Sequence, residues 1–285
     1  MDLFYLGRID LIYFNLNNKM KNLKLYCITN KPLPYLEKFD YYLSAVSEQE
    51  FPSQYLRCDN GDNIFEKEKY YSELTFQYWY WKNKLNLNDN NWIGFCQKRR
   101  FWIKKNSLNQ KIDKSNFYNH ALIDVSEDWT NYDAIICNPI HVNRVKKIKM
   151  IKRGLKSIVK KPEIFFNESK QSLAFHFDMH HGYGNLNKAI NLIDVEDKNE
   201  FLNFVNTSTF YNPHLMFITK PQIMNRWFSV LFPWLFRCEN VFGFKKLKGY
   251  DTQRLYAYLA ERYLSFWFNK YTKALSWPWA LIDLN

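Results

Sequence analysis

Apolar residues fall along this chain in short, strand-like runs separated by stretches of helical periodicity. Residues 23–29 (LKLYCIT) are apolar and β-prone and end in Thr29-Asn30-Lys31 ahead of Pro32 and Pro34, which predicts a first strand delivering a loop. Residues 92–96 (WIGFC) and 133–137 (DAIIC) read as buried strands, the first turning abruptly basic at Lys98-Arg99-Arg100, the second closed by Asn138-Pro139. A late strand is predicted at 215–219 (LMFIT), and Pro221 stands where a first helical turn tolerates proline. Between the strands, Tyr71, Leu74, Tyr78 and Trp81 recur at three- and four-residue spacing and predict a helix over 70–82. Helices are also expected over 40–50, 170–181, 186–193, 222–239 and 252–270, the last with Leu255, Tyr258, Leu259, Arg262 and Tyr263 along one side. Strands alternating with helices at these intervals predict an α/β fold with a mostly parallel sheet covered on both faces.

Composition narrows the class. Of 285 residues, 47% are hydrophobic and 19% aromatic, enough apolar surface to offset the entropy of ordering the chain. Only 8 are glycine, too few for a Gly-rich phosphate cradle of the dinucleotide or P-loop kind. The five cysteines, Cys27, Cys58, Cys96, Cys137 and Cys238, are widely spaced within apolar surroundings and read as reduced core residues of a cytoplasmic protein. No apolar run reaches the roughly 18 to 20 residues that span a bilayer. Residues 1–22 show no signal-cleavage pattern and read as an N-terminal arm, with a single domain over 23–285 and a variable insertion at 140–200.

The net charge of +12 comes mainly from Arg144, Lys146, Lys147, Lys149, Lys152, Arg153, Lys156, Lys160 and Lys161. Three readings stand: a solvated face in a chain of AT-biased composition, peripheral contact with an anionic membrane at its inner face, and a basic nucleic-acid-binding module. Nucleic acid is the least expected partner.

Four groups of residues carry more specific information. They are Asp62-Asn63-Ile64 with Tyr71-Ser72-Glu73-Leu74-Thr75 and Tyr78-Trp79-x-Trp81-Lys82-Asn83; Trp92-Ile93-Gly94-Phe95 with Arg99-Arg100-Phe101; Met216-Phe217-Ile218 with Leu231-Phe232-Pro233-x-Leu235-Phe236; and Arg254 with Tyr258-Leu259-Ala260-Glu261-Arg262. In order and spacing, over about 23–268, they resemble the exopolysaccharide-biosynthesis glycosyltransferases catalogued as domain of unknown function 4422. The resemblance implies a GT-A fold, a nucleotide-sugar donor, and a glycan or lipid-linked glycan acceptor in capsule, exopolysaccharide or O-antigen assembly.

GT-A enzymes usually neutralise the leaving diphosphate with a divalent metal held by Asp-x-Asp at a strand end. Here that strand end reads Cys96-Gln97-Lys98-Arg99-Arg100 without a carboxylate, so Arg99 and Arg100 are the candidates for the diphosphate, and Mn or Mg stays open as a cofactor. Gln97-Lys98 replaces the family's usual His-Tyr, which leaves Gln97 a binding role but no imidazole and keeps an inactive transferase-like protein in view. Glu261, a carboxylate on an otherwise aromatic and aliphatic helix, is the catalytic candidate; an ion pair with Arg262 or Arg254 is the structural alternative. Arg254 and Tyr258, from the same motif, are expected at the acceptor or sugar.

Asp59, Asp62 and Asn63 are candidates for the nucleoside, or a mere turn cluster, and Thr29, Asn30 and Lys31 are candidates for its other side. His176 and His180 have metal-ligand spacing, yet no third ligand is recognisable. The family commonly has a histidine near His181, which implies sugar or acceptor contact there. Tyr78, Trp79 and Trp81 read first as core.

Overall fold

The computed structural model describes residues 22–37, 39 and 41–282, so the arm expected over 1–22 lies outside the described residues apart from Asn22. Leu23–Thr29 forms β1, with only Lys24 not fully buried. Tyr42–Ala45 (β2) and Leu56–Arg57 (β3) lie to one side of it and Trp92–Gln97 (β4) to the other. Arg100–Trp102 (β5) returns from β4 through the two-residue turn Lys98-Arg99. Ala134–Cys137 (β6), Ile140–His141 (β7), Phe210–Tyr211 (β8), Phe217–Thr219 (β9), Ala274–Trp277 (β10) and Trp279–Leu281 (β11) follow.

The sheet runs β10-β6-β9-β4-β1-β2-β3. In that row β9 is antiparallel to both neighbours and every other adjacent pair is parallel. From β1 the chain moves outward to β2 and β3, then crosses back to lay β4 on the other side. The order therefore reverses between β1 and β4, and the loops leaving their carboxyl ends diverge to open a crevice. Strand β4 is pressed so closely on β9 that a Cβ at Gly94 would stand 2.5 Å from Ile218 Cγ1 and 3.0 Å from the Phe217 carbonyl, which only glycine relieves.

One expectation fails here. The helix expected over 40–50 is replaced by β2, which pairs in register with β1 from Tyr26↔Tyr42 to Thr29↔Ala45. Leu43 and Ala45 join one buried cluster while Val46 joins the other, so burial by the neighbouring strand overrides local propensity.

The helix expected over 70–82 is two helices, Glu68–Tyr71 (α1) and Leu74–Asn83 (α2), broken at Ser72, whose φ is +51°. Phe117–His120 (α3), Lys147–Lys160 (α4), Glu163–Phe166 (α5), Leu173–His181 (α6), Asn185–Ile190 (α7), Val195–Thr207 (α8) and Pro221–Phe242 (α9) come next. The helix expected over 252–270 is also divided, into Tyr250–Gln253 (α10) and Leu255–Tyr271 (α11), at Arg254.

Both faces of the sheet are covered. On one, α1, α2, α9 and α11 bury aromatic residues such as Tyr71, Phe76, Trp227, Phe228 and Tyr263, each stabilising by roughly 2–3 kcal/mol. Leu33, Leu36, Phe101, Trp102, Phe117 and Trp129 cover the other. Buried Asp197 fastens α8 to α11 by accepting from Tyr263 and Tyr271 hydroxyls, both at 2.6 Å, and from Lys270 at 3.0 Å. All five cysteines are buried and unpaired. Among the described residues no helix is long and apolar enough to cross a membrane.

Candidate functional site

The crevice at the reversal of strand order is lined by Ile28, Thr29 and Asn30 after β1, Val46 after β2 and Lys98 after β4. Glu68, Ser72 and Glu73 from the α1–α2 junction and Arg254 at the head of α11 close it. Thr29 shapes the loop: its hydroxyl donates to the Lys31 carbonyl at 2.6 Å and accepts from the Lys31 amide at 3.2 Å. Lys98 donates to Asn30 Oδ1 at 2.5 Å. Burial, with Lys31 beside it, holds the Lys98 ammonium below its usual range, and Glu73 and Glu68 oppose that shift. Burial likewise raises the Glu68 carboxyl, against the pull of Arg254. Ser72 holds a backbone conformation that side chains rarely adopt, and its buried hydroxyl has no hydrogen-bond partner.

Next to this cleft, Arg254, Tyr258 and Glu261 follow one another at i, i+4 and i+7, which places them on one side of α11. Glu261 Oε2 accepts from Arg262 Nη1 at 3.1 Å, with the Glu261 side chain 15% exposed and that of Arg262 only 1%. Burial pushes the Glu261 carboxyl above its ordinary 4.5 despite the attraction of Arg262 and Arg100, and Glu73 adds to the rise. Glu73 thus faces both the cleft and Glu261, so the two form one electrostatic unit. Arg100 donates to Gln97 Oε1 at 3.1 Å, which ties it to the end of β4.

Arg262 is held from three sides. Its guanidinium lies 3.9 Å above the Tyr211 ring, and Nη2 meets His176 Nδ1 at 3.3 Å, while Nε is buried without a partner. Burial and the Arg262 charge push His176 down to about 2, so this imidazole stays neutral and accepts. His181 is neutral for the same reasons, at about 3; its Nδ1 bonds the Asp251 carbonyl at 2.7 Å and its ring stacks 3.8 Å from Tyr258. His181 therefore backs Tyr258 rather than reaching outward.

Of the residues singled out in the sequence, the structure sets Thr29, Asn30 and Arg254 in the cleft wall and Glu261, Tyr258, Gln97 and Arg100 beside it. Lys31 acts electrostatically on Lys98. Other candidates have local duties. Asp59 takes two bonds from Arg57, at 2.5 and 2.7 Å, Asp62 accepts from the Tyr78 hydroxyl at 3.0 Å, and Asn63 Oδ1 accepts from the Phe65 amide at 3.0 Å. Arg99 is exposed at the turn tip, and the cations lining the cleft are Lys98 and Arg254. His180 meets Arg153 at 3.1 Å, and Asp178 accepts from Ser157 at 3.0 Å. Among the described residues no group of three or more His, Cys, Asp or Glu is placed to hold a metal ion. Reasoning from sequence passed over Lys98, Glu68, Ser72 and Glu73. A cation directly after a buried strand was the one signal for Lys98; Ser72 and Glu73 stood in the sequence only as part of the motif at 71–75, and Glu68 lay outside every expected helix.

A solved structure titled as the apo form of the WbbM bifunctional glycosyltransferase superposes with a TM-score of 0.70 at 18% identity, over 92% of this chain and 45% of that one. At that identity the likeness shows the fold, and the chain spans less than half the length of that protein. No curated protein matches. The family model described as "Domain of unknown function (DUF4422)" matches residues 24–273, a span that takes in all of β1 but Leu23, the cleft, β4, α11 and Glu261. With a central, mostly parallel sheet flanked by helices in the GT-A manner, and with that match over most of its length, the chain belongs to the DUF4422 family.

Proposed function

We propose that the chain is a glycosyltransferase that moves a sugar from a nucleotide-sugar donor to a polysaccharide or lipid-linked oligosaccharide of surface-polysaccharide assembly. One observation carries the reading: a cleft at the sheet's switch point bears two cations, Lys98 and Arg254, and adjoins a carboxylate kept largely from water, Glu261. The donor nucleoside enters against Thr29, Asn30 and Val46, and its diphosphate lies between Lys98 and Arg254 with Arg100 beyond. In the reaction the acceptor hydroxyl oxygen bonds the anomeric carbon, the bond from that carbon to phosphate breaks, and the nucleoside diphosphate leaves with the electron pair. Glu261 takes the acceptor proton, a role its raised pKa suits. Lys98 and Arg254 stabilise the charge that develops on the leaving phosphate.

Manganese or magnesium fits this site poorly. Its two cleft carboxylates, Glu68 and Glu73, already face Lys98 and Arg254, which leaves them poor ligands for a divalent ion. The test is thermal stabilisation across a panel of nucleoside diphosphates and their sugars, with and without chelator. The reading expects one diphosphate series to stabilise the chain and Lys98→Met or Arg254→Met to weaken that effect at least tenfold. It fails if no nucleotide stabilises the chain, or if both variants bind as the parent does.

A further inference from the structure

Helix α4 touches the rest of the chain through a narrow seam. Met150, Gly154 and Ser157 are its buried residues, and a Cβ at Gly154 would stand 2.7 Å from the Phe175 ring of α6. At 3.6 residues per turn those three fall within roughly 60° of the helix circumference. Beside the seam Ile148, Ile151, Leu155 and Val159 are 71%, 51%, 54% and 72% exposed. They share a sector of roughly 80°. Lys149, Lys152, Arg153, Lys156 and Lys160 occupy the next 100° or so, and no acidic residue occurs from Lys147 to Lys161. Just beyond, Phe166 in α5 is 80% exposed.

An aliphatic stripe facing water is costly unless something covers it. The cationic sector selects what does. Two copies of α4 meeting face to face would set lysines against lysines, and a nucleic acid would use the cations but leave the aliphatic stripe wet. We infer that α4 lies in the surface of an anionic bilayer, with Ile148, Ile151, Leu155 and Val159 at the acyl boundary and the flanking lysines among lipid phosphates.

This inference goes beyond the transfer reading and stands without it. It does, however, place the cleft. Arg153 of α4 pairs with Asp251 of α10 at 2.9 Å, and the Asp251 carbonyl holds His181, which backs Tyr258. On the transfer reading, a bilayer under α4 lies on the side of the fold where Asp251 and His181 back Tyr258.

The experiment is sedimentation of the full chain with vesicles of phosphatidylcholine, alone or with about a third phosphatidylglycerol, in about 0.15 M salt. Binding is expected to the anionic vesicles and not to the neutral ones. Lys152→Gln with Lys156→Gln lowers partitioning about 25-fold, about 5-fold per lysine. Leu155→Ser with Val159→Ser lowers it more than tenfold. Both pairs leave the melting temperature and nucleotide-induced stabilisation unchanged, because these side chains are exposed and away from the cleft. The inference is overturned if the parent ignores anionic vesicles, or if the stripe variant binds them as the parent does. It is equally overturned if light scattering shows a dimer that the stripe variant dissolves without any vesicle binding, or if an oligonucleotide binds while vesicles do not.

Discussion

Removing Glu261 and Arg262 singly and together measures how the site holds a charge in its interior. Glu261→Leu leaves a guanidinium that is 1% exposed with the Tyr211 and Phe177 faces and the neutral His176 nitrogen as company but no counter-charge on those partners. Breaking a buried pair from one side costs about 3–5 kcal/mol. The ring contact survives and the Glu261 side chain is 15% exposed, so the lower end applies, about 3 kcal/mol. Arg262→Met leaves the carboxylate facing Arg100 and loses the Tyr211 contact, again about 3 kcal/mol. The double variant removes both charges and fills the space with apolar atoms, so it is expected within about 1–2 kcal/mol of the parent, a coupling of about 4 kcal/mol or more. In a chain of this size each single variant melts about 6–12 °C low. Urea denaturation of the four proteins at neutral pH gives the cycle. Effects that add to within about 0.5 kcal/mol would refute the argument. Activity separates stability from chemistry: Glu261→Gln can still accept from Arg262, so it keeps the fold and donor binding while losing transfer.

The remaining expectations concern pH and packing. His176 and His181 stay neutral in the fold down to about 2 and 3, against an ordinary 6.5, while the unfolded chain takes up both protons below that value. Their contribution is complete above pH 6.5 and declines by about 1.4 kcal/mol per pH unit per histidine as pH falls toward the folded values; a urea series from neutral to mildly acid pH shows the slope, and His181→Asn makes it shallower. Glu261 has the opposite sign: its raised carboxyl holds a proton longer in the folded state, so stability declines as pH rises from 4.5 through the raised value, and the acid limb of the transfer rate lies above 4.5. A pH–rate profile with its acid limb at or below that value contradicts the base assignment. Gly94→Ala drives a methyl to 2.5 Å from Ile218 Cγ1 and costs about 1–3 kcal/mol, read as a lowered denaturation midpoint.

The strands at 23–29, 92–96, 133–137 and 215–219 were legible because both of their faces are covered, and a strand buried on both sides announces itself as an unbroken apolar run. Glu261 stood out too, as a lone carboxylate on an apolar helix, and the structure pairs it with Arg262. What local pattern leaves open is convergence. Two adjacent cations, Lys98 and Arg99, look alike in sequence; the two-residue turn between β4 and β5 sends one into the cleft and the other to solvent. Glu68 and Glu73 come to the cleft beside Lys98 from the α1–α2 junction, where the chain breaks at Ser72. Strand β2 shows the same limit, since its pairing with β1 outweighs whatever 40–50 prefers alone. For α4, amphipathic spacing is written in the residues, but which apolar side chains stay wet depends on how closely Gly154 lets α6 approach. Periodicity and burial are properties of a segment and survive in the sequence, whereas a site assembled from five separate segments is a property of the packing that brings them together.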